Sequence, residues 1–355
     1  MKMPHHHSPH QYIDRETGSV QTESLCADSL IAWMYDSARE NARWLFNALI
    51  SRRFSKMLAW IHYDLRRYLR PREIQRIFRS LHIEPGDIAD DISGYICLRD
   101  IFERKIRYAT CRPMPSAEDT AGVVTSPADA RMLVGSFSEI SGFFIKEKFF
   151  DGTHLIGADK SKWLTAFRKG DAAIFRLTPD KYHYNHAPVS GTVADYYHIS
   201  GRCHSCNPGA VVRAVTPLSE NQRAVTILDT DTDGGSRVGY VAMIEIAAMM
   251  IGDIVSCYSD VAYDHPRALH VGMKIRRGQP QSLYRPGSST TVLIFEKGRV
   301  RFSEDIRRNM TRLDAVSRYS CGFGLPLVET DVRVRSEIAR RITLPASSSI
   351  GKINL

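Results

Sequence analysis

Long apolar runs are missing from this chain. No stretch approaches the roughly 20 uninterrupted apolar residues of a spanning helix. The most apolar run, Val241 to Val255, is broken by Glu245 and Asp253. A multi-span membrane protein is therefore excluded. Met1 to Asp14 is His-rich and polar and lacks the apolar core of a secretory signal. Cysteine is sparse: seven in 355 residues, an odd count scattered from Cys26 to Cys321. A disulfide framework is a poor reading of that pattern, and a reduced cytoplasm fits better. Hydrophobic residues at 43% and charged residues at 25% exclude wholesale disorder and a rod-like repeat. The length suggests roughly two structural units.

Positive charge is in surplus. Lys and Arg number 48 against 39 Asp and Glu, a formal charge of +9. This favours an anionic partner, a lipid surface or a nucleic acid. Residues 1–25 read as a disordered leader. His5, His6, His7 and His10 sit there, either as chelators or as part of a flexible tail. Residues 26–99 read as basic amphipathic helices. Leu30, Trp33, Met34, Leu45, Phe46 and Leu49 recur at helical spacing, then Phe54, Met57, Leu58, Ile61, Leu65, Tyr68 and Leu69. Pro71 suits the first position of a further helix to Leu81. Arg39, Arg43, Arg52, Arg53, Lys56 and Arg66 lead a run of cations on the intervening faces, which continues to Arg79. Such a face either lies on an anionic membrane or is a solvated surface above a core.

From about residue 120 short apolar segments alternate with Gly, Pro, Asp and Asn turns. Ala172 to Leu177, Ala210 to Val215, Ala224 to Leu228, Val238 to Ile246 and Thr290 to Phe295 read as strands. Gly234-Gly235 reads as a hairpin tip. The fold class expected is α+β: an N-terminal helical segment, then a mainly antiparallel β catalytic domain over 100–355.

Three segments carry candidate chemistry: Ser126-Pro127-Ala128-Asp129-Ala130, Tyr182-His183-Tyr184-Asn185-His186-Ala187-Pro188, and Gly287-Ser288-Ser289-Thr290. Each alone reads equally as a turn, a structural histidine pair or a polar loop. Phe102-Glu103-Arg104, Arg112-Pro113, Asn207-Pro208, Asn221-Gln222-Arg223, Arg277-Gly278-Gln279 and Glu329-Thr330 complete an ordered series. Together, from about Asp100 to Val334, the series resembles the phosphatidylserine decarboxylase family of self-processing pyruvoyl enzymes. The chain departs from that family's usual pattern at four places. Ala130 and Ser288 stand where Gly is usual, Ser190 where Asp is usual, and Tyr184 where Arg is usual. Alignment of both flanks puts Ser289 at the reactive position. Counting forward from Gly278 also fits Ser288.

The resemblance implies that Ser289 is converted to a covalent pyruvoyl cofactor as the chain splits into 1–288 and 289–355, paired non-covalently. It implies His186 as the base, oriented by Asp129, and His183 as the group that protonates the product carbanion. The implied activity is a carboxy-lyase reaction, phosphatidylserine to phosphatidylethanolamine with loss of carbon dioxide. A free amino acid, for example an aromatic one, is the alternative substrate. An unprocessed membrane-binding pseudoenzyme is the non-catalytic alternative. The helical front implies peripheral docking on anionic phospholipid, on the cytoplasmic side. No nucleic-acid motif accompanies the charge. No metal is expected. Cys203-His204-Ser205-Cys206 has zinc-like spacing but no second pair, since Cys257 and Cys321 do not make one. Asp229 to Gly234 lacks the downstream Glu of a calcium loop.

Overall fold

A computed structural model describes residues 8–25, 27–65, 68–115, 122–136, 149–214, 216–250, 253–287 and 289–343. Its strands, in chain order, are β1 (Gln11–Asp14), β2 (Val20–Thr22), β3 (Val123–Thr125), β4 (Ala130–Ser136), β5 (Asp171–Leu177), β6 (Tyr184–His186), β7 (Gly191–Ile199) and β8 (Arg223–Asp229). They continue as β9 (Tyr240–Ala247), β10 (Ile254–Ser256), β11 (Lys274–Ile275), β12 (Pro280–Tyr284), β13 (Ser289–Phe295), β14 (Val300–Phe302), β15 (Glu329–Val332) and β16 (Glu337–Arg341). Ten form one sheet in the order β11-β7-β8-β9-β13-β5-β4-β15-β1-β2. Two small sheets, β10-β12-β6 and β14-β16-β3, cover one of its faces. The ladders are antiparallel except that of β1 with β15. This is the α+β architecture expected.

The strand that follows the candidate processing site is central. Ser-Thr-Thr-Val-Leu-Ile-Phe is rich in β-branched residues, which are stiff about χ1 and pack well on a pleated surface. Every residue of β13 is buried, and each pairs with β5 on one side and β9 on the other. Phe175, Met243, Leu293, Tyr284 and Ile338 fill the gap between the large and small sheets. The opposite face carries short helices, with Leu155, Trp163, Val211, Tyr319 and Phe323 packed on Ile174, Ile227, Ile244 and Ile294.

Helices run from Asp28 to Asp64, interrupted by two wide π-type turns, and resume at Pro71–Ser80. Pro71 does open that helix, and the Glu73 carboxylate accepts the Arg70 N–H at 2.9 Å. Tyr35, Phe46 and Ile50 pack on Ala210 and Met249, which fixes the helical front to the β body. The stripe of Met57, Ile61, Leu65 and Tyr68 stays exposed.

Two expectations are corrected. Residues 8–25 are not a disordered leader: β1 and β2 extend the large sheet, with Ile13 buried against Ala315 and Val328. Residues 1–7, with His5, His6 and His7, lie outside the described residues, as does Cys26. Ala210 to Val215 is not a strand: Pro208–Arg213 is a helix, because Pro208 presets its first turn and the Asn207 side chain accepts the Gly209 N–H at 2.8 Å. The hairpin expected at Gly234-Gly235 is present, joining β8 to β9 through a longer loop, with Gly234 at φ +73.

Candidate active site

Ser289 is the first residue of β13, opposite Ala247 and Leu177. Its side chain is fully buried, and its Oγ has no hydrogen-bond partner among the described residues. A buried polar atom left unpaired is uncommon and asks for a reason. Ser288 lies outside the described residues. Gly287, at φ +139, takes a backbone conformation that favours glycine. The start of β13 is held from above: the Tyr284 hydroxyl donates to Thr290 O at 2.9 Å, and the Thr291 hydroxyl donates to Asn185 Oδ1 at 2.9 Å.

Those contacts set the level of β6 against β13. Asn185 meets Thr291, while His183 stands opposite Tyr284, whose N–H donates to His183 O at 3.1 Å. Moving back from Asn185 to His183 follows β13 back toward Ser289. Side chains alternate along a strand, so His183 shares the inner face with Asn185. His183 is thus the histidine on the side of Ser289. It is fully buried, the Lys181 backbone is the polar group that faces its ring among the described residues, and the Phe102 ring lies 3.6 Å away centroid to centroid. Burial, reinforced by the Arg104 guanidinium, pushes its pKa down to about 3. The ring is therefore neutral at pH 7.

His186 faces the other side of β6, stacked edge-on to Tyr108. It stands beside Pro280, about 10 Å further along the strand at the usual rise per residue. Its Nδ1 donates to Gly278 O at 2.9 Å, which leaves Nε2 to accept the Tyr182 hydroxyl at 3.0 Å. Burial pushes this pKa down to about 3 as well. Asp129 is near but not bonded to it. The His186 N–H donates to Pro127 O at 2.7 Å, which draws the Ser126 to Ala130 segment alongside. The Asp129 carboxylate itself pairs with Arg112 at 2.9 Å and accepts the Val334 N–H at 2.7 Å. Burial alone would raise its pKa, but Arg112 holds it below the usual carboxylate range. His183 thus adjoins Asn185, which bonds Thr291, while Asp129 lies alongside His186 through the Pro127 carbonyl. No hydrogen bond closes an Asp129–His186–Ser289 relay among the described residues.

Glu245, Asn185 and Tyr284 were not singled out as site residues. Glu245 is fully buried opposite Thr291. The signal is visible in the sequence, since Glu245 is one of the two acids that interrupt the most apolar run of the chain.

The residues of the Cys203 turn are otherwise engaged. His204 bonds the Tyr35 hydroxyl and Glu220, and the Cys203 N–H donates to Ile50 O. One group with converging ligand atoms exists among the described residues: His10, Glu23 and Glu329. The Arg176 guanidinium already fills it, within 2.6 Å of Glu23 and 2.5 Å of Glu329.

A family model described as phosphatidylserine decarboxylase matches residues 98–317. The chain belongs to the phosphatidylserine decarboxylase family. The phosphatidylserine decarboxylase proenzyme of Fusobacterium nucleatum is 26% identical over 306 residues, 84% of this chain and 91% of that protein. The proenzyme of the same name from Chlamydia trachomatis is 28% identical over 298 residues, 83% of this chain and 90% of the relative. That of Chlamydia caviae is 26% identical over 318 residues, 89% and 97% respectively. The family match thus includes Phe102, Asp129, both histidines and all of β13.

Proposed function

We propose that this chain is a proenzyme that cleaves itself before Ser289 and then decarboxylates phosphatidylserine to phosphatidylethanolamine, releasing carbon dioxide. The observation that carries the reading is Ser289: a buried hydroxyl with no partner, at the mouth of a rigid central strand, in a chain of this family.

The Ser289 hydroxyl loses its proton to a base and attacks the carbonyl carbon of residue 288; the C–N bond between 288 and 289 then breaks, the Ser289 nitrogen takes up the proton as a free amine, and an ester is left. Loss of the Ser289 Cα proton and departure of the residue 288 carboxylate cut the chain and leave dehydroalanine. Hydrolysis releases ammonia and leaves a ketone at the new N-terminus. This pyruvoyl group supplies the electron sink for decarboxylation. His183, a neutral imidazole on this face, is our candidate to accept or return a proton there. The resemblance assigns the base role to His186 with Asp129. For that, His186 must give up Tyr182 and cross to the inner face of β6. His183→Ala and His186→Ala separate the two assignments, since the variant that stays uncleaved has lost the base.

The exposed side of the helical front suits a bilayer. Trp44 is 75% exposed, Trp60 52% and Leu65 57%, with Arg43, Arg53 and Arg72 exposed around them. Apolar side chains amid cations bind an anionic lipid surface through both burial and charge. No helix among the described residues is long and apolar enough to cross a membrane. Peripheral docking on the cytoplasmic leaflet follows from this reading.

Denaturing gels and intact mass test the core of it. The wild-type chain should yield 1–288 and 289–355, the latter starting with a pyruvoyl group. Ser289→Ala should remain one species of 40.1 kDa. A wild-type chain that never splits sinks the proposal, and cleavage of Ser289→Ala moves the site to Ser288. Carbon dioxide released only from free amino acids, not from phosphatidylserine vesicles, overturns the lipid substrate.

A further inference from the structure

The contacts that hold the start of β13 belong to a longer buried polar chain that the chemistry above does not use. Glu245 on β9 sits opposite Thr291 on β13 and two residues from Ala247, the partner of Ser289. Its Oε1 accepts from Asn185 Nδ2 at 3.1 Å and from the Ser282 hydroxyl. Asn185 Nδ2 also donates to Ser282 Oγ at 3.2 Å. With its amide nitrogen turned to Glu245, Asn185 presents its oxygen to the Thr291 hydroxyl at 2.9 Å. Tyr284 closes the group, 3.0 Å from Thr291 Oγ1 and donating to Thr290 O. All five side chains are nine-tenths buried or more.

The polarity of this chain has a direction. An ionised carboxylate is an acceptor only, so it dictates which end of the Asn185 amide faces it. The other end must then be the acceptor that Thr291 needs. We propose that Glu245 is a positioning residue for self-processing: through Asn185 it fixes Thr291, and with Thr291 the Ser289 end of β13. The proposal rests on the reading of Ser289 given above.

Glu245 is also poised to respond to pH. Burial pushes its carboxyl up to about 7, against the opposing effect of the Ser282 and Asn185 bonds. Tyr284 from β12, Tyr196 from β7 and Cys257 after β10 are the titratable groups that feel its charge, and all three are shifted further upward. No cation is among the groups that shift it. Both histidines of the site titrate near 3 and stay neutral from pH 6 to 8. Of Glu245 and the two site histidines, Glu245 is the one that changes charge in that window. A charged acceptor bonds Asn185 and Ser282 more strongly than a neutral one. The processing rate should rise with pH, by about tenfold at most from pH 6 to 8, as the ionised fraction grows.

The test follows the appearance of the small chain over time, after cell-free synthesis of the full chain, at pH 6, 7 and 8. Wild type should show the rise. Glu245→Gln keeps the size and one acceptor oxygen but cannot titrate, and its rate should be flat across the series. Thr291→Val keeps the shape but cuts the link to Asn185, and should be flat and slower. A purely structural role for Glu245 would lower yield without removing the pH dependence. Glu245→Gln or Thr291→Val cleaving with the wild-type profile overturns the proposal, as does a flat wild-type profile. A wild type that fails to cleave at any pH removes the proposed function, and this inference with it.

Discussion

Arg176 is the residue whose removal should damage this molecule most. It is buried on β5 and grips two buried carboxylates at once: Glu329 through Nε at 3.0 Å and Nη2 at 2.5 Å, Glu23 through Nη1 at 2.8 Å and Nη2 at 2.6 Å. His10 adds a bond to Glu329 at 2.8 Å. Arg176→Met keeps the length of the stem and deletes the charge. Among the described residues, Glu329 then keeps His10 and Glu23 keeps Arg131 at 3.3 Å. Breaking a buried pair by removing one partner destabilises by about 3–5 kcal/mol. At a slope of about 2–3 kcal/mol per M, the urea midpoint should fall by about 1–2 M. The Ser289→Ala background keeps one covalent species for the measurement. The pH dependence adds a second readout. Glu23 and Glu329 both lie below the ordinary carboxylate range, Glu329 because Arg176 and His10 outweigh its burial. Their contribution is present above the unfolded value near 4.5 and is lost as pH falls through and below it. Without Arg176 the stranded carboxyls move up instead, so the variant should gain stability as pH falls through the same range. An unchanged urea midpoint, or an acid limb parallel to wild type, refutes the reasoning.

Two further outcomes follow from the site and the surface. Phe102→Ala opens the cover over His183, so the ring should regain water and its pKa should climb from about 3 toward 6.5; an NMR titration in which that histidine does not move rejects the burial account. Trp44→Ser with Trp60→Ser removes the two most exposed indoles from the helical front. Each buried aromatic is worth about 1.5–3 kcal/mol, so sedimentation with anionic vesicles should show binding weakened by more than tenfold, and wild-type binding should weaken with salt. Equal binding by the double variant removes the docking surface.

The strands at the centre of the large sheet were legible in the sequence because their apolar runs are short, β-branched and bounded by turns. Pro208–Arg213 was misread because Ala-Val-Val is as apolar as a strand; the cue that decides it is one residue earlier, in Asn207-Pro208. The strand β1 was illegible. Gln-Tyr-Ile-Asp has one buried residue, and its partner lies at the far end of the chain, with His10 bonding Glu329 across 319 positions. The site residues were legible as a series, which needs only their order. Which histidine faces Ser289 was not, because the answer depends on where β6 begins and on which face each alternate residue points. Glu245 was noticed only as an interruption in an apolar run. Its meaning needed Asn185 and Ser282, 60 and 37 positions away, brought beneath it.

The place of β13 also governs timing. It is the seam between β11-β7-β8-β9 on one side and β5-β4-β15-β1-β2 on the other. Until Ser289 to Phe295 leaves the ribosome, the two halves have no shared strand. β15, which links β4 to β1, emerges later still. A chain still being made cannot assemble the frame around Ser289. On the proposed reading, self-cleavage would be deferred until these strands are in place, and a product truncated before β15 should stay whole.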